Sequence, residues 1–436
     1  MCLIGVPVAM SLGISALISG LHVGITPIVM CQQIYAQLDS FTLLAIPLFL
    51  LVGNIMDRGQ ITDRLVGFAS KLVGHITGGL GHVNVVANMI MAGISGSATA
   101  DAAALGGIMI PSMRKAGYTP EMAAAINASA ATIGPIIPPS IMMVTYGAFG
   151  SVSIAALFMG GIVPGVLVGL TIMIVTYIWA KKHKCVAVQK RATLREVWDA
   201  TKRAFTALLV PLIIILGVLS GIFTATESGM IAVVYSLFLV MFVYRTCTWK
   251  EMAEVFIKSC VESAKPLLCV GGAGAFGYMM AYLQIPQMML DAAGPIVGKQ
   301  IPTLLFITFL YIILGTFMDS IPAIIIFLPI VQQMGTAAGI DPIHMGVLVT
   351  VVLCFGLLTP PYGMTLLLSA GLAGVPTVSV IKELKYFYLV YLLVILGMIF
   401  IPLDGPLPAQ SADLNSISSA GIFILSGNAA SLIKKR

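Results

Sequence analysis

Four short polar stretches interrupt an otherwise apolar chain, and they hold the residues best suited to chemistry. "SGSATADAA" (95–103) places Ser95, Ser97, Thr99 and Asp101 between apolar runs, and "GTFMDS" (315–320) does the same with Thr316 and Asp319. "IGPIIPPS" (133–140) and "LLTPPYG" (357–363) add Ser140, Thr359, glycines and paired prolines. Hydroxyls, carboxylates and carbonyls freed by proline are oxygen donors, the ligands that hard cations prefer. Helix N-termini beside them favour anions. The chemistry this suggests is the joint handling of a cation such as Na⁺ and an anionic solute. The seven Cys have no metal-type spacing and are read as free thiols. His22, His75, His82, His183 and His344 share no motif.

These stretches must be positioned inside lipid. The chain has 436 residues, 59% hydrophobic and 9% charged, with a mean hydropathy of +1.04. A soluble chain carries roughly 25% charged residues, so this composition specifies an all-α polytopic membrane protein. The net charge of +6 does not indicate nucleic acid, because the basic residues sit in short clusters between apolar runs, as cytoplasmic loops do. The chain enters its first apolar run almost at once, and no cleavable leader is read there.

Apolar runs predict helices at about 3–20, 41–57, 120–150, 152–180, 204–222, 228–244, 266–284, 343–372 and 381–403, with a weaker run at 24–38. About ten crossings result. Residues 79–114 and 302–334 each hold two apolar pieces of about 14 residues around a polar tip, short of the roughly 20 that a span needs. They read as re-entrant hairpins. The Pro-Pro pairs break the helices 118–150 and 343–372, because proline removes a donor and clashes with the preceding turn.

The spacing repeats. Asp101 to Pro111 is 10 residues, as is Asp319 to Pro329; Pro120 to Pro138 is 18, as is Pro342 to Pro360. One slip of four residues falls between Pro329 and Pro342. In this register Asp101 and Asp319 are equivalent, and each either caps the second half of its hairpin or handles an ion directly. The unit is helix, in-plane arm, hairpin and broken helix: 1–180 with its arm at 61–75, then 204–403 with its arm at 285–299. The basic segment 181–203 joins them, and a polar tail follows at 404–436. Placing 181–203 in the cytoplasm puts 58–75, 114–115, 245–265 and 382–385 there too, with most of the Lys and Arg. The two repeats are then inverted, as in secondary transporters whose discontinuous helices meet at the midplane.

The tip "SGSATADAAALGGIMIPSMRKAGY", the break "ATIGPIIPPSIMMVTYG", the tip "GTFMDSIPAIIIFLPI" and the break "GLLTPPYGM" resemble the large membrane subunit of tripartite ATP-independent periplasmic (TRAP) transporters, as do "TATESG" and "HITGGLGHVNVVANMIMAGISGS". The likeness runs from about residue 5 to 403. It implies an elevator-type transporter of the bacterial inner membrane, importing an organic acid anion with Na⁺ as coupling ion and no other cofactor. It implies as partners a small four-helix membrane subunit and a periplasmic binding protein. One implied Na⁺ site uses Ser95, Gly96 and Ser97 with Gly134 and Pro138; the other uses Gly315 and Thr316 with Gly356 and Thr359. Substrate is expected between the tips, near Ser97, Thr99, Ser140, Thr316, Asp319 and Thr359. The tail departs from the family pattern and carries no assignment, and Glu227 in "TATESG" faces either a partner subunit or solvent.

Three rival readings stand beside this one. An intramembrane aspartyl protease needs two carboxylates, but the expected Gly-x-Gly-Asp type of motif is missing at Asp101 and Asp319. A channel would carry a polar stripe along whole helices, whereas polarity here is concentrated at four breaks. A standalone sodium-coupled dicarboxylate carrier shares the architecture and differs in needing no binding protein.

Overall fold

The computed structural model describes residues 6–183, 191–292, 294 and 298–401, so the tail lies outside the described residues. Caps and prolines cut the chain into successive helices. First come α1 (Val8–His22), α2 (Pro27–Leu38), α3 (Ala45–Arg58) and α4 (Ile61–Val73). Then follow α5 (Gly79–Ser95), α6 (Ala98–Lys115), α7 (Pro120–Ala131), α8 (Ile141–Gly150) and α9 (Ile154–Lys182). The same order recurs in α10 (Leu194–Leu219), α11 (Ala225–Phe238), α12 (Trp249–Tyr282), α13 (Ile285–Ala292), α14 (Gln300–Phe317), α15 (Ser320–Ala337), α16 (Pro342–Gly356), α17 (Met364–Ala373) and α18 (Thr377–Phe400). Even the corners correspond. Gln60 between α3 and α4, and Gln284 between α12 and α13, both adopt positive φ, at 55° and 53°, a region that non-glycine residues seldom enter.

By length and composition seven helices among the described residues can cross a bilayer, or eight with the bent pair α12–α13. This count takes each helix alone. The halves of the two broken helices are too short individually, and the runs at 3–20 and 24–38 become α1 and α2, of 15 and 12 residues. Twelve residues rise only about 18 Å, against a hydrocarbon core of about 30 Å. The two helices pack as a pair on α12. The hairpin halves are 17 or 18 residues rather than about 14. Polar residues such as His82 and Asn84, which shorten the apolar run in sequence, are buried inside the fold.

Residues 245–265 are mostly helical. A capping box of Thr248 and Glu251 starts α12 at Trp249, and the helix runs unbroken for 34 residues. A second capping box, Thr193 with Glu196, starts α10 ten residues before the expected helix at 204.

The interior is mainly apolar, and apolar side chains also cover the outside while a few amides are buried within. Ile178, Leu216, Val234 and Leu393 are exposed, while Asn84, Asn88 and Asn127 are fully buried. In lipid there is no water to satisfy an outward amide. Asn127 donates to the Ala102 carbonyl and to Ser369 Oγ, both at 3.0 Å, and accepts from Asn84 at 3.3 Å. One side chain thus ties α5, α6, α7 and α17 together. Neighbours are exchanged between the two series of helices: α15 packs on α8, α17 packs on α6 and α7, and α11 packs on α3.

Candidate functional site

The first hairpin turns on two residues. Gly96, at φ +58°, ends α5, and extended Ser97 caps α6 with its Oγ accepting from Ala100 N at 3.5 Å. Ser97 Oγ also lies 3.2 Å from Thr99 Oγ1. Ser95 Oγ accepts from Ser97 N at 3.2 Å and donates to Asp101 Oδ1 at 2.6 Å. Asp101 is therefore a brace across the tip, while Ser97 is the cap. Its second oxygen, Oδ2, is buried without a hydrogen-bond partner. The break between α7 and α8 lies directly against this tip. A Cβ on Gly134 would stand 2.5 Å from Asp101 Oδ2, and one on Gly96 would stand 2.6 Å from the Pro139 carbonyl oxygen. Only glycine allows either approach.

The second pair repeats the close approach with different atoms. Gly315 on α14 faces Gly356 on α16 so tightly that a Cβ on Gly356 would be 2.7 Å from Gly315 Cα. Tyr362 N donates to the Thr316 carbonyl at 3.0 Å, joining tip to break. Thr316 Oγ1 and Thr359 Oγ1 each donate to a carbonyl of their own helical segment, at 2.7 and 2.9 Å. Their lone pairs stay available to a cation. Asp319 is the N-cap of α15, accepting from Ser320 N at 2.7 Å.

Asp101 and Asp319 are thus not equivalent, contrary to the spacing read from sequence. The residue matching Asp319 is the cap Ser97. Ser97 to Pro120 is 23 residues, as is Asp319 to Pro342, so the four-residue slip disappears in this register. Asp101 lies one helical turn past the cap, where no free helix N–H remains for its side chain.

A cavity of about 530 Å³ opens between tips, breaks and the helices α3 and α12. Ser97, Thr99 and Asp319 line it with Ser95, Gly96 and Asp101; Ser140, Thr316 and Thr359 do not. Ser140 is spent elsewhere. It is fully buried, caps α8 through Met143 N at 3.2 Å and donates to the Pro135 carbonyl, so it offers nothing to a solute. Gly134, Gly315 and Gly356 lie at the tip–break contacts, and none of them, nor Pro138, lines the cavity.

The opposite wall is charged and was not anticipated. Asn54 and Asp57 on α3 face Lys258, Glu262 and Lys265 on α12. Asn54 Nδ2 donates to Glu262 Oε2 at 2.7 Å and to Ser259 Oγ at 3.0 Å, and Lys258 Nζ pairs with Glu262 Oε1 at 3.8 Å. The available signal was the spacing of 258, 262 and 265, which shares one helix face. Among the described residues Cys31, Cys247, Cys260, Cys269 and Cys354 are free thiols; Cys2 and Cys185 lie outside them.

Comparison with known sequences places this geometry. The profile of the family described as "Tripartite ATP-independent periplasmic transporter, DctM component" matches residues 1–403. The chain is 41% identical over 345 residues to the sialic acid TRAP transporter large permease protein SiaM of Vibrio cholerae, covering 79% of this chain and 81% of that one. It is 38% identical over 376 residues to the 2,3-diketo-L-gulonate TRAP transporter large permease protein YiaN of Escherichia coli, covering 86% and 88%. Against the C4-dicarboxylate TRAP transporter large permease protein DctM of Pseudomonas aeruginosa the values are 36% over 370 residues, 85% and 86%. Family-wide match and apolar helices together make this chain an inner-membrane protein belonging to the DctM component family, the large permease subunits of TRAP transporters.

Proposed function

We propose that this chain imports a small organic acid anion with Na⁺, taking the solute from a periplasmic binding protein and working beside a small four-helix membrane subunit. The carrying observation is the cavity, where both hairpin tips meet the charged wall of α3 and α12. Its lining holds two lysines against the carboxyls of Asp57, Asp101, Glu262 and Asp319. An anion enters such a space favourably only when cations offset those carboxyls. Coupling ions do this if they sit at the two tip–break contacts. The glycine pairs there bring hydroxyl, carboxyl and carbonyl oxygens together, with Asp101 Oδ2 lacking any partner. The first site uses Ser95, Gly96, Ser97, Gly134 and Pro138, and the second uses Gly315, Thr316, Gly356 and Thr359. The tips and breaks then form one body that slides as an elevator against α3 and α12. The solutes in the names of the three relatives are all acids, which supports the solute class.

This arrangement favours transport over proteolysis. A carboxyl dyad shares a proton between facing groups, whereas Asp101 binds Ser95 and Asp319 binds the Ser320 amide. The test is uptake into proteoliposomes holding this chain and its small subunit. Acids are offered under a Na⁺ gradient, with and without the matching binding protein. Uptake requiring both is expected. Uptake with Na⁺ alone would make the chain a standalone carrier, and uptake indifferent to Na⁺ would refute the coupling.

A further inference from the structure

Lys265 stands at the middle of the 34-residue helix α12 and lines the cavity. The residue is exposed. The other cavity lysine is offset: Lys258 pairs with Glu262, whose second oxygen is held by Asn54. Lys258 and Arg58 act electrostatically on Asp57. Asp101 is tied to Ser95, and Asp319 to the Ser320 amide. No Asp or Glu among the described residues forms an ion pair with Lys265. Lys265 thus lines the cavity without an ion-pair partner among the described residues.

We propose that Lys265 binds the carboxylate of the transported solute, so that selection for acids over neutral solutes resides on α12 and not on the hairpin tips. This inference rests on the transport reading above. Lysine suits the task as a compact charge on a flexible stem with three donors, able to follow a carboxylate that shifts with the tips. Hydroxyls at Ser97 and Thr99 hold the uncharged part of the solute, and Lys265 supplies the charge match.

The experiment compares wild type with Lys265→Met, Lys265→Gln and Lys265→Arg, each co-purified with the small subunit. Uptake of N-acetylneuraminate, succinate, pyruvate and gluconate is measured under a Na⁺ gradient with the matching binding protein present. For the acid that wild type carries, Lys265→Met raises the KM about tenfold to a hundredfold, the usual range for losing a charged hydrogen bond. The Na⁺ concentration for half-maximal uptake stays unchanged, and Lys265→Arg restores the KM to within about threefold. Lys265→Gln gives the same readout should the Met variant fail to assemble. Wild-type uptake with an unchanged KM in the neutral variants overturns the assignment of Lys265 alone. Failure of wild type to carry any of the four acids overturns the transport reading, and this inference with it.

Discussion

Replacing Gly356 by alanine tests whether the contact between the second tip and its break is functional geometry. The added Cβ would stand 2.7 Å from Gly315 Cα, 3.0 Å from Gly315 C and 3.2 Å from Gly315 O. Carbon atoms in ordinary contact sit about 3.5–4.0 Å apart, so α14 and α16 must separate by about 1 Å. All three neighbours are backbone atoms, and no side-chain rotation relieves the overlap. Overpacking of this kind costs roughly 1–3 kcal/mol. Functional constellations tolerate only about 0.5 Å of displacement, so a cation shared between Thr316 and Thr359 loses its grip before the fold is lost. At about 1.4 kcal/mol per tenfold, the half-saturating Na⁺ concentration for uptake should rise about tenfold. The assay is the Na⁺ dependence of uptake in proteoliposomes, with thermal denaturation of the purified complex alongside. Gly107→Ala on α6 is the control. A Cβ there meets nothing within 4 Å, so Na⁺ dependence should not move, and stability should rise by up to about 1 kcal/mol from helix propensity. A Gly356→Ala protein that folds and keeps wild-type Na⁺ dependence would refute the reasoning.

Ser97→Ala and Thr359→Ala should each weaken Na⁺ dependence severalfold while costing no more than about 1–2 kcal/mol in stability, since each hydroxyl makes only local bonds. Normal Na⁺ affinity in both would remove these side chains from the sites. Asn127→Ala strips partners from Asn84, Ser369 and the Ala102 carbonyl at once. It should destabilise the protein by about 2–4 kcal/mol, read as a lower melting temperature. An unchanged melting temperature would mean that α17 and the first hairpin are held by packing alone.

The breaks were legible because proline and glycine act locally: Pro138–Pro139 and Pro360–Pro361 stop a helix wherever they occur. The pairing of each tip with a break came with the family resemblance; the residues alone showed only that hydroxyls and glycines concentrate at four places. The register within the hairpins was not legible. Asp and Ser cap a helix about equally well, so a matching pair of aspartates concealed that Ser97, not Asp101, corresponds to Asp319. Lys258, Glu262 and Lys265 were missed for another reason. Charge in an apolar chain ordinarily marks a loop, and nothing local says that a lysine faces a cavity within a 34-residue helix. Ser140 shows the converse, a hydroxyl in the right motif whose bonds are all consumed by its own turn.

The exchange of neighbours between the two series of helices bears on how such a chain could have arisen. Helix α8 covers α15, α17 covers α6 and α7, and α11 covers α3. A polypeptide of half the length would leave each of these surfaces bare. Two copies of it, each lending its short helices to the other, would cover them all. A half-length chain with these surfaces would be stable only as a pair, and fusing two of them would change connectivity while keeping these contacts.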